Sequence, residues 1–306
     1  MSPAQGPNFL VVGLQRSGTH WVAALLNAHP EISCFPTDYF DKGFGVYNRK
    51  IVGEVYLFNT LASLEPGTED RHTRPLEEYL TKHNLLFADL VPYKDKVPKA
   101  ELYGMFIERY NQICEDHRKG KKLVGESTSD YVFHLNFIDS FYPNIKKLCI
   151  IRDPKDKIVS RHFNMLRKGR KAEVDISDEF IIEYCKTVIQ KEYGSLLAYD
   201  GTIHCFTYEQ LTSQPQLVLK GILEYLDLAT DEKIIKQMIA AGDFKKMSSN
   251  DDGTGGRERG QELLGSVYRK GIVGDWVNHL TQHQAELIDG LIGDVREKVF
   301  SKYNLS

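Results

Sequence analysis

The chain has 306 residues, of which 42% are hydrophobic and 26% charged, and its formal net charge is −3. This composition indicates a globular protein and excludes a disordered chain, a collagen-like fibre and a small disulfide scaffold. The near-balanced charge argues against nucleic acid as the main partner. The five cysteines are widely spaced and form no CxxC pair, so we expect free thiols and a cytoplasmic location. The sequence shows neither a signal-peptide pattern nor a run of 18 apolar residues, so we expect no membrane partner.

Strand and helix patterns alternate along the chain. The apolar run FLVVG, residues 9–13, predicts a buried parallel strand, and the helical periodicity of residues 21–29 predicts a helix that ends before Pro30. The same patterns predict three more strands, at 121–126, 146–153 and 203–207, and four more helices, one from Pro154 and others at 176–199, 214–226 and 281–303. This order predicts an α/β fold, a parallel β-sheet flanked by helices, in one domain spanning 1–306.

Two regions interrupt the alternation. Residues 31–120 are irregular and rich in aromatic side chains. Residues 248–262 are polar and glycine-rich, which predicts a mobile loop rather than a boundary between domains.

The loop from Gly13 to Trp21 has the composition of an anion-binding site. It lies between a strand and a helix, where backbone N–H groups and the helix dipole favour a negative group. Arg16 adds a positive charge, and Ser17 and Thr19 add hydroxyl donors. An ordinary strand-to-helix turn is the alternative interpretation.

The same loop nearly matches the phosphate-binding pattern GxxxxGK[ST]. Gly13 and Gly18 fit, but Thr19 and His20 stand where that pattern has a lysine and a hydroxyl residue. The lysine that reaches the β- and γ-phosphates and the hydroxyl that holds magnesium are therefore both misplaced. The loop predicts a bound phosphate that is not the tail of a metal-bound nucleoside triphosphate.

At this point a family resemblance becomes specific. The segment LQRSGTHW, residues 14–21, resembles the 5′-phosphosulfate loop of sulfotransferases that use 3′-phosphoadenosine 5′-phosphosulfate (PAPS), whose pattern is close to PKSGTTW. Arg16 stands where the family has lysine, and His20 stands where it has a second threonine. The resemblance implies that the phosphosulfate is held by Arg16 and by the loop residues Ser17, Gly18, Thr19, His20 and Trp21.

A second segment, residues 149–163, matches the 3′-phosphate site of the same family. A predicted strand ends at Arg152, and Ser160 follows about two helical turns into the next helix. An arginine and a hydroxyl on a helix can clamp one phosphate through charge-assisted hydrogen bonds. The alternative is that Arg152 pairs with Asp153 or Asp156 at the surface.

A third segment, GSVYRKGIVGDWVNHLT at 265–281, resembles the RKGxxGDWKNxFT segment of the family. The resemblance implies a role in binding the nucleotide for Tyr268, Arg269, Lys270 and Gly271. Residues 274–276 are expected to anchor the loop, and Val277 replaces the usual lysine.

Two further segments, which precede the third one in the chain, resemble the adenine-binding segments of the family. Tyr208 stands in a YEDL-type turn, and Phe244 and Met247 stand in an SFxxM-type segment. Aromatic rings and thioethers suit the face of a purine. Ordinary core packing is the alternative.

The resemblance also implies the chemistry. Arg16 is expected to stabilise charge on the leaving phosphate, and a general base must accept the acceptor's proton. Ser127 stands near the place of the histidine that serves as base in many family members. Our candidates for the base are Glu126, which ends a predicted strand and is expected to face the cleft, then Asp38, then His20. A solvated or capping carboxylate is the alternative for the first two.

The resemblance therefore implies a P-loop-NTPase-like sulfotransferase fold and sulfuryl transfer from PAPS to a hydroxyl, less readily an amine, of a small-molecule acceptor. No metal is expected, and the chain is expected to be a monomer or homodimer. Residues 31–120 are the expected acceptor side, and 248–262 an expected lid. A kinase-like phosphotransferase and a non-catalytic PAPS-binding protein remain as alternatives.

Overall fold

The computed structural model describes residues 5–35, 54–65, 85–170, 175–252 and 255–305. Its centre is a sheet of five strands, β1 (Phe9–Val12), β2 (Ile32–Phe35), β3 (Leu123–Ser127), β4 (Lys146–Ile151) and β5 (His204–Thr207). Every neighbouring pair is parallel, in the order β2-β3-β1-β4-β5. The prediction of a parallel sheet flanked by helices is confirmed. β2 lies within residues 31–120, where the sequence analysis predicted no strand.

Twelve α-helices are described, and their bounds in chain order are α1 (Thr19–Asn27), α2 (Leu57–Ala62), α3 (Lys99–Arg118), α4 (Leu135–Asp139), α5 (Pro154–Arg167), α6 (Asp178–Tyr184), α7 (Gln190–Ala198), α8 (Tyr208–Ser213), α9 (Pro215–Tyr225), α10 (Glu232–Ala241), α11 (Phe244–Asp252) and α12 (Gln282–Lys302). A π-helical turn, Cys185–Ile189, joins α6 to α7 in one continuous rod. Short 3₁₀ segments lie at Leu85–Tyr93, Ser129–His134 and Asp275–Asn278. None of the described helices is long and apolar enough to cross a membrane.

The central strand β1 separates two hydrophobic cores. Its residues are fully buried and alternate between the faces, so that Leu10 and Val12 belong to one core and Phe9 and Val11 to the other. The Phe9 ring packs so closely on β3 that a Cβ at Gly125 would lie 2.1 Å from it. Burial on both faces explains why this strand is a continuous apolar run.

Two predicted boundaries differ from the structure for local reasons. The strand predicted at 146–153 ends at Ile151 because Asp153 caps α5, accepting from the backbone N–H groups of Lys155 and Asp156, with Pro154 in the first turn. The loop predicted at 248–262 is wrong over its first five residues, which continue α11 to Asp252. Ser248 is fully buried there and its hydroxyl accepts from the N–H of Arg257.

The functional residues meet at one edge of the sheet. The carboxyl ends of β1, β3 and β4 lead into the Gly13 loop, the segment from Thr128 and the start of α5, respectively. In open parallel sheets, ligands bind in the crevice at this edge, next to the point where the strand order reverses.

Candidate active site

A cavity of about 550 Å³ opens at that edge of the sheet. Its walls come from the anion loop, the cavity-facing side of α5, the aromatic residues of α8 and α11, and the segment 267–272. The opposite wall is formed by Glu54, Tyr56 and Ser129. Three segments that carry sequence motifs therefore border one space.

The anion loop is held in a tight turn. Gly13, Arg16 and Gly18 have φ values of 136°, 75° and 104°. A Cβ at Gly13 would lie 2.3 Å from the carbonyl oxygen of Ile150, so only glycine fits there. α1 begins at Thr19 with no side-chain cap, and its N-terminus faces the cavity. This arrangement concentrates N–H groups and the positive end of the helix dipole at one point.

A buried ion pair supports the loop from behind. Lys157 and Glu192 are both fully buried, and their charged atoms lie 2.5 Å apart. Glu192 also accepts a hydrogen bond of 2.6 Å from the backbone N–H of Leu14. Glu192, which lies on α7, thus fixes the backbone of Leu14, although the two residues are 178 positions apart in sequence.

Arg16 and Arg152 tie three of the motifs together. The Nε of Arg16 donates to the Ser160 hydroxyl at 3.0 Å, and its Nη2 donates to the carbonyl of Val267 at 3.0 Å. Arg152 donates to the carbonyls of Arg16 at 3.2 Å and Ile272 at 3.3 Å. The expected pair with Asp156 is also present, at 3.6 Å. The alternative pairing with Asp156 therefore occurs, although Asp156 is buried rather than at the surface, and the assignment of Arg152 to a phosphate stays a prediction.

The segment after Tyr268 is anchored by two aspartates. Asp275 forms ion pairs with Arg269 and Lys270. Burial acts to raise the pKa of Asp275, but hydrogen bonds from Lys270 and Arg269 outweigh it and hold the pKa well below its ordinary value. Asp156 accepts from the N–H groups of Gly274 at 2.8 Å and Trp276 at 3.0 Å, which fixes the segment to α5. The two cations are thereby placed at the cavity wall.

Aromatic side chains form the other end of the cavity. The rings of Trp21 and Tyr208 lie 5.3 Å apart, and the Arg152 guanidinium lies 4.4 Å from the centre of the Tyr208 ring. A Cβ at Gly271 would lie 2.3 Å from the ring of Phe244, so this glycine allows the segment to approach α11. Met247 also borders the cavity.

Glu126 does not face the cavity, so that expectation was wrong. On β3 it lies beside Leu10 and points into the core that α3 covers. Its fully buried carboxylate accepts from the hydroxyls of Tyr110, at 2.5 Å, and Thr128. Burial raises the pKa of Glu126 to about 7, against hydrogen bonds that lower it. His20 does border the cavity, and Asp38 lies outside the described residues.

Glu54 is a carboxylate of the cavity wall that the sequence analysis missed. Its Oε1 accepts from the backbone N–H of Ser129 at 2.7 Å, and its Oε2 accepts from the hydroxyl of Tyr56. Val55 donates to the Thr128 hydroxyl at 3.0 Å, and Thr128 contacts Glu126. No spacing pattern surrounds Glu54, so no sequence signal could have identified it.

Comparison with known proteins identifies the family. The family described as Sulfotransferase domain matches residues 6–300. The chain belongs to this family. It is 26% identical over 168 residues to Sulfotransferase 2B1 of Mus musculus, covering 51% of this chain and 49% of that enzyme, and 28% identical over 170 residues to Cytosolic sulfotransferase 16 of Arabidopsis thaliana, covering 48% and 49%. These alignments span about half the length of the curated relatives.

The fold comparison agrees with the family assignment. The crystal structure of mouse sulfotransferase SULT7A1 complexed with PAP matches with a TM-score of 0.56 and 17% sequence identity, covering 95% of this chain and 86% of that chain. At this identity the match shows a shared fold. The expected sulfotransferase fold is thereby confirmed.

Proposed function

We propose that this sulfotransferase moves the sulfuryl group of PAPS to a hydroxyl, less readily an amine, of a small-molecule acceptor and releases adenosine 3′,5′-bisphosphate (PAP). The observation that carries the proposal is the meeting of Arg16, Arg152 and the segment 267–272 at one cavity. The PAP complex of the structural neighbour supports the same nucleotide.

The polar atoms at the cavity fit an anionic nucleotide. Within the described part of the chain, the Nε of Arg152, a residue of the cavity wall, is buried and has no hydrogen-bond partner. Buried polar groups in proteins are nearly always satisfied, so this atom fits an acceptor from outside the chain. The uncapped start of α1 provides further N–H donors for a phosphate.

Each end of the nucleotide has matching residues. We assign the 5′-phosphosulfate to Arg16 and the loop Ser17–Trp21, and the 3′-phosphate to Arg152, Ser160 and the Arg269–Gly271 turn. We assign the adenine to the aromatic end of the cavity, namely Tyr208, Phe244, Met247 and Tyr268, which all border it.

Arg16 is placed to assist bond breaking. In sulfuryl transfer, negative charge grows on the phosphate that leaves, and fixed donors aimed there lower the barrier. The side chain of Arg16 is oriented by Ser160 and Val267, so it needs little reorganisation. We propose that Arg16 both binds the nucleotide and stabilises the leaving group.

We propose Glu54 as the general base, with His20 as the second candidate and Asp38 as the third. A base must reach the acceptor's proton, and both Glu54 and His20 border the cavity. Glu54 is also oriented by Ser129 and Tyr56. Glu126 contacts Thr128, whose hydroxyl accepts from the N–H of Val55, so we propose that Glu126 positions the Glu54 segment.

Two other features belong to the proposal. We propose that the lid is confined to the part that follows α11, from 255 to 262, which contacts 266–271 through Arg257 and Arg259. We also propose a cytoplasmic location, supported by the name of the Arabidopsis relative, and a monomer or homodimer. A kinase-like phosphotransferase is disfavoured because Thr19 and His20 replace the lysine and hydroxyl of GxxxxGK[ST].

Calorimetry with matched nucleotides tests the proposal. PAP is expected to bind at least about tenfold more tightly than adenosine 5′-phosphosulfate, because losing a charge-assisted hydrogen bond costs about 1.5–3 kcal/mol. Equal affinities contradict the 3′-phosphate assignment. Release of PAP from PAPS with a panel of phenols, alcohols and amines then separates an enzyme from a non-catalytic PAPS-binding protein.

A further inference from the structure

The wall of the cavity carries far more positive charge than the nucleotide requires. Among the described residues that border it are nine lysine and arginine side chains and two carboxylates, Glu54 and Asp275. PAPS carries about four negative charges near neutral pH, with up to two on its 3′-phosphate. A cationic surplus therefore remains when the nucleotide is bound.

Four of these cations form a cluster at the end of α5, which we call the α5 cluster: Arg161, Arg167, Lys168 and Arg170. All four border the cavity. In the described structure none of them has a carboxylate within ion-pair distance, whereas Arg269 and Lys270 share Asp275. Like charges held together without counter-charges are unfavourable. The α5 cluster therefore calls for an anion.

Burial and the neighbouring cations Arg170, Arg167, Arg161 and Arg16 lower the pKa of Lys168 to about 8. Burial is the larger cause, and the crowding of cations adds to it. An anion bound beside Lys168 would offset the repulsion between the cations and raise the pKa of Lys168 again.

Most of the α5 cluster lies away from the residues assigned to the 3′-phosphate and the adenine. Arg161 follows Ser160 directly, but seven residues of helix place Arg167 about 10 Å further along the axis than Ser160, on the same face of α5. Lys168 and Arg170 follow Arg167 at the end of the helix. The adenine residues lie on α8 and α11, beside Arg152 and Trp21.

A chain of contacts connects the α5 cluster to the acceptor side. Arg161 donates to the Gln15 side chain at 3.3 Å, and Gln15 donates to Asp130 at 3.1 Å. Asp130 follows Ser129, whose N–H donates to Glu54 at 2.7 Å. These contacts link Arg161 to the segment that holds the proposed base, and both Arg161 and Glu54 border the cavity.

We infer that the acceptor is an anion: a molecule that carries a carboxylate, phosphate or sulfate group, held by the α5 cluster while its hydroxyl or amine faces Glu54. This inference rests on the proposed sulfuryl transfer, which it narrows to one class of acceptor. Arg167 and Arg170 offer planar forks that match oxyanions bidentately.

The test uses four compounds that share one phenol and one linker: tyrosol, its phosphate ester, 3-(4-hydroxyphenyl)propionate and tyramine. Each is titrated by calorimetry into PAP-saturated protein, which measures binding without turnover. At least one of the two anions is expected to bind about tenfold or more tightly than tyrosol, and tyramine more weakly. Comparing the affinity for the phosphate ester with that for the carboxylate identifies the type of anion that the cluster binds.

The variant Arg167→Gln/Lys168→Gln is compared with Lys233→Gln/Lys236→Gln, which removes two exposed cations of α10. The first variant is expected to reduce the preference for the anion over tyrosol about tenfold, and the second to retain it. Equal binding of tyrosol and both anions to the unmodified protein overturns the inference. So does a retained preference in the first variant.

Two further measurements separate the possible failures. The affinity for PAP is measured first in every variant, and a loss of PAP affinity equal to the loss of anion affinity would assign the cluster to the nucleotide and overturn the inference. If anions are preferred but PAPS is never converted to PAP with any compound, the proposed sulfuryl transfer fails while the anion site stands.

Discussion

Glu192 accepts a hydrogen bond from the backbone N–H of Leu14 at 2.6 Å while it pairs with Lys157. Both charged side chains are fully buried, so each compensates the other in a low-dielectric environment. The pair does more than balance charge, because its carboxylate also fixes the start of the anion loop. Stability and nucleotide binding therefore depend on different atoms of the same pair.

Variants of this pair should separate the two roles. Glu192→Gln leaves Lys157 unpaired and is expected to lower the free energy of unfolding by about 3–5 kcal/mol. Lys157→Met/Glu192→Gln removes both charges but retains an acceptor for Leu14, so it should recover most of the stability and the affinity for PAP. Lys157→Met/Glu192→Leu also removes both charges but leaves the Leu14 N–H without its acceptor, at about 1–3 kcal/mol.

Urea unfolding and calorimetry with PAP check this series. The matched pair of double variants is the critical comparison, because the two proteins differ in one acceptor and not in charge. Equal affinity of both double variants for PAP would show that the contact with Leu14 does not shape the nucleotide site.

Arg16 is predicted to act mainly in the transition state. Arg16→Ala should lower kcat about 10²–10³-fold, the scale of losing one donor to a developing negative charge, and weaken PAPS binding by a smaller factor. Arg16→Lys should restore most of the activity, because the family pattern has lysine there. Steady-state kinetics at varied PAPS concentrations measure the changes in kcat and in the KM for PAPS. A variant in which only the KM for PAPS rises would show that Arg16 only binds.

The motif-bearing walls of the cavity could be predicted from sequence because their residues lie in short contiguous segments. Arg16, Arg152 and the Arg269–Gly271 turn each stand in a pattern where glycines, cations and a neighbouring strand or helix recur at fixed spacing. The requirement for a tight turn at Gly13 is local, and the structure shows it as a 2.3 Å clash for any Cβ. Local rules of this kind are visible in a single sequence.

The acceptor side could not be predicted in the same way, because its geometry depends on contacts between distant segments. The orientation of Glu126 depends on which face of β3 is covered by α3, and the sequence of residues 121–126 does not indicate which face that is. Glu54 owes its position to Ser129, 75 residues away. The sequence analysis did not identify the α5 cluster, because which side of α5 faces the cavity depends on how the helix packs.

Glu54 and Glu126 should respond differently to the same substitution. Glu54→Gln is expected to lower kcat/KM about 10²–10⁴-fold, the usual contribution of a general base. Glu126→Gln should lower kcat/KM far less, because Glu126 does not border the cavity. Steady-state rates at one pH, with the affinity for PAP measured in both variants, give the comparison. A Glu54→Gln variant that retains nearly full kcat/KM would transfer the role of base to another residue, with His20→Gln as the next variant.

Glu126 should also make stability depend on pH. Its folded-state pKa of about 7 exceeds its ordinary value of 4.5, so the folded protein binds the proton more tightly than the unfolded chain. The contribution is therefore present below pH 4.5 and is lost as the pH rises to 7, by about 3 kcal/mol in total. Unfolding by urea at pH 5 and pH 8 should show this loss in the unmodified protein but not in Glu126→Gln, and the difference between the two proteins isolates Glu126 from other titrating groups. Parallel pH dependence of both proteins would contradict the assignment.

The segment from Gly255 to Gly271 provides the last prediction, because Arg257 and Arg259 fix the first part of the segment to its last part. The Arg257 guanidinium donates to the carbonyls of Gln261, Tyr268 and Arg269, and Arg259 donates to the carbonyl of Gly271. Arg259 also lies 5.4 Å from the centre of the Trp21 ring, at the adenine end. These contacts join the predicted lid to the segment that we assign to the 3′-phosphate.

Ordering a glycine-rich segment costs conformational entropy, which contacts of the nucleotide with Arg269 and Lys270 would offset. We therefore expect trypsin to cut rapidly after Arg257 and Arg259 in the free protein and at least about tenfold more slowly with saturating PAP. Cleavage after the exposed Lys96, in the turn before α3, serves as the internal control and should not change. Arg257→Gln should weaken the protection at Arg259, since it removes the contacts to 266–269 and leaves Arg269 and Lys270 in place. Unequal rates at Lys96 would indicate a global effect of PAP on stability, whereas identical rates at Arg259 with and without PAP would show that the segment does not close on the nucleotide.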